Sequence, residues 1–113
     1  MAAVSTARAV TLDSAPLGNS TGQQLVCRVV NVGPKEAIVT ARLLNTTSGA
    51  SIGTLVFPAC NGEIPLQPGQ ACIVSLSGSI AARCNVVSSS SKIRASLARE
   101  IGGVAQVIIP VTK

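Results

Sequence analysis

Four cysteines, a Ser-x-x-Lys match and a set of arginines are the residues of this chain whose chemistry is worth testing first. Cys27, Cys60, Cys72 and Cys84 form an even set in a short chain, the pattern of two disulfides with three possible connectivities. They contain no C-x-x-C pair, and the chain has no His to share a metal, so a zinc or redox centre is a poor fit. Ser89-Ser90-Ser91-Lys92 matches the S-x-x-K nucleophile pattern of penicillin-recognising enzymes. That chemistry needs Ser and Lys on one helix face with companion motifs nearby, and here the match falls in a serine-rich loop between strands. General acid–base work has only Asp13, Glu36, Glu63 and Glu100, which are scattered and have no His partner. A Cys nucleophile would lack its imidazole base. These residue types exclude the common catalytic sets, and no catalytic residue, cofactor or metal is expected.

Arg28, Arg42, Arg83 and Arg94 occupy the polar phase of predicted strands. On neighbouring strands they would form a stripe able to hold sulfate, carboxylate or phosphate groups; otherwise they are solvated outward arginines. The formal net charge of +5 favours association with polyanions. With no run of Lys or Arg, and Phe57 as the sole aromatic, a dedicated nucleic-acid reader is not expected. Asn19-Ser20-Thr21 and Asn45-Thr46-Thr47 match the N-glycosylation pattern, which matters only in a eukaryotic secretory setting.

The elements that must position these residues are strands. Hydrophobic residues make up 47% of the 113 residues and are mostly Val, Ile, Ala and Leu, of which the β-branched types suit a pleated surface. Period-2 alternation and turn signals place strands at Arg8 to Leu12, Gln23 to Asn31, Ala37 to Asn45 and Ile52 to Phe57. Further strands fall at Ala71 to Ser77, Ile80 to Val87, Lys92 to Ala98 and Val104 to Val111. Pro58 to Gly69 reads as a loop carrying Cys60, and Ser88 to Ser91 as a hairpin loop. Pro110 marks Val104 to Val111 as an edge strand. Seven to eight antiparallel strands at this spacing predict an all-β, immunoglobulin-like β-sandwich over residues 8–113, preceded by a flexible tail at 1–7.

Val29-Val30-Asn31-Val32-Gly33, closing an early strand, and Leu66-Gln67-Pro68-Gly69-Gln70, leading into Ile73-Val74-Ser75-Leu76, resemble bacterial Ig-like modules of the cell-adhesion-related (CARDB) type. The resemblance spans Gln23 to Leu97 and implies an exported adhesion or accessory module rather than a catalyst. The chain departs from it by its four Cys and its lack of core aromatics.

In an immunoglobulin-type order, Cys27 and Cys84 sit on facing strands where an inter-sheet bridge belongs, and Cys60 and Cys72 flank the Leu66 to Gly69 turn, where a second bridge would clamp the loop. The alternative is four buried thiols. Val26, Val30, Ile38, Leu44, Val104 and Ile108 fall on faces assigned to solvent, which points to docking or self-association.

The expectation is therefore a non-catalytic, exported structural or interaction module, with a protein partner or homo-oligomer, or else a binder of acidic polysaccharide through the arginine stripe. Its place is secreted, periplasmic or at the cell surface. Met1 to Thr6 shows no leader, so either Met1 replaces a removed one or the chain is not exported by that route. The longest apolar stretch, Val104 to Val111, is too short to span a bilayer as a helix.

Overall fold

Alternation of buried and exposed residues along nearly every strand sets the architecture. A computed structural model describes residues 9–56 and 60–113; the expected tail at 1–7 and the Phe57 end of the fourth expected strand lie outside the described residues. Nine strands follow in order: β1 (Val10–Asp13), β2 (Gln24–Asn31), β3 (Val39–Asn45), β4 (Ser51–Ile52), β5 (Thr54–Leu55), β6 (Ala71–Ser77), β7 (Ala82–Ser88), β8 (Ile93–Ile101) and β9 (Val104–Val111). They form two antiparallel sheets, β1-β7-β3-β4 and β5-β6-β2-β8-β9, stacked as a β-sandwich.

The central strands keep the immunoglobulin-like arrangement. β2 pairs with β6 in one sheet and β3 with β7 in the other. The outer strands depart from it. β1 lies beside β7 where a last strand would stand, and β8 lies beside β2 where a first strand would stand. Between the sheets, Leu25, Cys27 and Val29 of β2 and Leu97 of β8 meet Val39 and Leu43 of β3 and Val86 of β7, all fully buried. Complete burial of a Leu or Val side chain stabilises by about 1.5–3 kcal/mol, so this aliphatic layer is a main source of the fold's stability.

One expected strand is two. Ile52 to Phe57 was predicted as continuous, but Ser51–Ile52 pairs with β3 and Thr54–Leu55 pairs with β6 in the opposite sheet. The change of sheet happens at Gly53, at φ +92°, where a Cβ would stand 2.8 Å from the carbonyl oxygen of Ser75. Only Gly allows both the backbone conformation and the close approach.

The run Ser88 to Ser91 also differs from expectation. It leads from β7 in one sheet to β8 in the other, so it is a crossover between sheets rather than a hairpin. Serine hydroxyls hold it locally: Ser88 Oγ accepts from the Ser90 amide and Ser90 Oγ from the Lys92 amide.

At one end of the sandwich a buried asparagine joins distant segments. Asn31 is fully buried; its Nδ2 donates to the carbonyls of Lys35 and Leu66, each at 2.8 Å, and its Oδ1 accepts from the Gly33 amide. Its backbone is tied to the second motif too, accepting from the Gly69 amide and donating to the Gln70 carbonyl. The V-x-N-x-G and L-x-P-G-x motifs are thus two halves of one hydrogen-bonded corner.

Candidate interaction surfaces

Both disulfides form with the favoured pairing. Cys27 of β2 bonds Cys84 of β7 across the two sheets, with Cα atoms 6.1 Å apart. Cys60, just before the Asn61–Thr40 bridge to β3, bonds Cys72 of β6 at 5.5 Å. The second bond therefore also ties one sheet's margin to the other sheet. All four residues are fully buried. The amide of Cys84 donates to Ser14 Oγ, which covers the end of β1 where regular pairing stops.

The four arginines do not come together. Arg28 and Arg94 stand on β2 and β8 of the five-stranded sheet, while Arg42 and Arg83 stand on β3 and β7 of the other. A polar phase tells which side of a strand a residue takes, not which sheet the strand joins, so one stripe becomes two pairs on opposite outer faces. Arg83 is ion-paired with Asp13, which also accepts from Asn85 Nδ2 at 2.9 Å. Arg42 is exposed and lines an open groove of about 460 Å³ with Thr40, Ser51 and Asn61.

On the five-stranded sheet, register arranges the outward residues in rows across β2, β8 and β9. Val30 faces Arg94, Arg28 faces Ser96 and Pro110 follows; Val26 faces Ala98 and Ile108 follows; Gln24 faces Glu100. Arg28 Nη2 reaches Glu100 Oε2 at 4.0 Å, and this pair spans the Val26–Ala98 row between them. Under that arch Val26 is only 5% exposed although it points away from the core. Its neighbour Ile108, on the edge strand, is 65% exposed.

β9 is an open edge. It contains no charged residue, and Val104 and Ile108 on it, with Ile101 across the hairpin, are exposed apolar groups. The Thr112 amide donates away from β8, to the Asp13 carbonyl, and the Asp13 amide returns a bond at 2.8 Å. By alternation the backbones of Pro110 and Ile108 also face away from β8. Among the described residues the edge is therefore closed by β1 at its C-terminal end, lacks a donor at Pro110, and is open from Ile109 to Val107, beyond which the β8–β9 register shifts at Gln106. Sequence reasoning found the edge and its apolar residues, but not its direction.

Of the glycosylation matches, Asn19 is buried and spends its Nδ2 on the carbonyls of Gln23 and Gly78. Asn45 Oδ1 accepts from the amides of Thr47 and Ser48, capping its turn. Asn45 thus holds its own turn, and Asn19 ties its loop to the end of β6. Among the described residues no group of His, Cys, Asp and Glu side chains is placed to hold a metal, and no helix is long and apolar enough to cross a membrane. Compared with known proteins, the chain matches no protein-family model, no curated sequence and no solved structure at a significant level. The fold and its surfaces define the class: a disulfide-stapled β-sandwich whose longest edge strand, among the described residues, carries no charge.

Proposed function

We propose that this chain is a non-catalytic interaction module of an oxidising, extracytoplasmic compartment, which acts by pairing its β9 edge with that of a second copy. The observation that carries the reading is the edge itself: eight residues without a charge, Val104 and Ile108 among them exposed, with exposed Ile101 across the hairpin. Soluble β-proteins protect edges with charge, proline, bulges or cover, because unpaired amides and carbonyls template another strand. β9 has a proline, Pro110, and a register shift at Gln106; between them Val107 to Ile109 stay uncharged and uncovered among the described residues. Antiparallel pairing of an edge with itself satisfies a two-fold axis, so the same patch serves on both partners. With no charge on the strand, the pairing carries no like-charge penalty. Two buried disulfides support an oxidising compartment. The resemblance to cell-adhesion-related modules agrees with an exported docking role.

Sedimentation analysis over a wide concentration range tests the reading. A concentration-dependent dimer that is lost in Ile108→Asp, with the unfolding curve of the variant retained, is the expected result. A strictly monomeric protein at every concentration overturns self-association.

A further inference from the structure

A second surface follows from the register of the five-stranded sheet and is independent of the β9 edge. The Val32 amide donates to the Lys92 carbonyl at 3.0 Å, which extends the β2–β8 ladder one row past Asn31–Ile93. Lys92, Arg94 and Arg28 therefore occupy three successive outward rows, opposite Val32, Val30 and Ser96. Residues two apart on a strand, or diagonal across a pair, stand about 7 Å apart, so these cations form a short ladder. All three are exposed. The acid on this face is Glu100, which lies beyond Val26 at the far end and meets only Arg28. The ion pairs among the described residues are Arg28–Glu100 and Arg83–Asp13, so Lys92 and Arg94 carry uncompensated charge. Ser96 stands beside Arg28 and Thr112 follows Val111 at the end of β9, adding hydroxyls to the row of cations.

We infer that this ladder binds a linear acidic polysaccharide, its sulfate or carboxylate groups lying along Lys92, Arg94 and Arg28. Charge placed at a regular spacing on a rigid sheet matches a chain with regularly spaced anions. The guanidinium groups hold sulfate or carboxylate through paired N–H donors. Sugar hydroxyls meet Ser96 and Thr112. Nucleic acid is the poorer match, because single strands are held by stacking on aromatics and Phe57 is the sole aromatic of the chain.

Heparin serves as the probe. Lys92→Ala and Arg94→Ala each elute from a heparin column at lower salt than the parent, and the double variant at lower salt still. In a titration, each removed cation makes the log–log salt dependence shallower by about one, as release of condensed counterions requires. Arg42→Ala, which removes the same charge from the opposite sheet, stays at the parent value, and Arg94→Lys, which keeps the charge but loses the paired donors, elutes between the parent and Arg94→Ala. Circular dichroism and unfolding curves show that the exposed substitutions keep the fold. Loss in Arg42→Ala equal to that in Arg94→Ala overturns the inference, because net charge alone would then explain retention. So does tighter binding to single-stranded DNA or to phosphatidylserine vesicles than to heparin, or a double variant that elutes with the parent.

Discussion

Asn31 and Leu66 stand 35 residues apart in the chain, yet the buried amide of one donates to the carbonyl of the other at 2.8 Å. The same amide holds Lys35, and the same side chain accepts from Gly33, so one fully buried residue supplies the partners for three backbone groups. Asn31→Ala leaves those groups without their partners at a cost of about 3 kcal/mol. Asn31→Asp is expected to be worse, since it turns a donor into a buried acceptor facing two carbonyls. Urea unfolding of the two variants, with Asp less stable than Ala, checks the corner.

The two disulfides differ in the length of chain they close. Cys27–Cys84 spans 57 residues and Cys60–Cys72 spans 12. Loop-closure entropy gives about 4 kcal/mol for the first and about 3 kcal/mol for the second. Replacing each pair by Ala should therefore cost more at Cys27 and Cys84, where the sheets also lose their central tie. Denaturant midpoints of the two double variants measure the order, and a more damaging loss of Cys60–Cys72 would count against chain entropy as the governing term.

Gly53 and Gly102 separate backbone strain from collision. Both have positive φ, +92° and +59°, but a Cβ at Gly53 meets Ser75 O at 2.8 Å while one at Gly102 meets nothing within 4 Å. Gly102→Ala should cost about 1 kcal/mol, the strain of a left-handed residue. Gly53→Ala should cost about 3 kcal/mol or more, because the Ser75 carbonyl belongs to the β6 backbone and cannot swing away. Thermal unfolding of the pair is a direct comparison.

Much of the fold was legible because alternation reports burial directly. Ala71–Ser77 and Val104–Val111 lie where the pattern puts them, and Cys27 and Cys84 face one another as an immunoglobulin-type order requires. What the pattern lacks is the identity of the partner strand. Arg28, Arg42, Arg83 and Arg94 share a polar phase but divide between two sheets, and Ser88 to Ser91 has the same composition whether it makes a hairpin or a crossover. Ile52 and Leu55 look continuous because a Gly between them reads as a weak point in a strand, not as a change of sheet. Val26 lies on the outward phase and is still buried, because long-range register lays the Arg28–Glu100 pair over it. Asn31 reads as the last residue of its strand; the hydrogen bond that its buried amide makes to Leu66 joins it to a segment that no local window contains.

Pro110 gives the most direct test of the open edge. Thr112, two residues on, donates away from β8 to Asp13, so the nitrogen of Pro110 also faces away from β8, where the ladder loses nothing by its missing hydrogen. The cost of that proline falls instead on any strand that pairs with β9 from outside, which finds no donor there. Pro110→Ala restores the donor and lengthens the usable edge toward Val111. The fold itself should lose only about 0.4–1 kcal/mol, from the greater freedom of the unfolded chain. Association should strengthen, with the dimer appearing at lower protein concentration in sedimentation. A variant that associates no more tightly than the parent would mean that copies do not meet along β9.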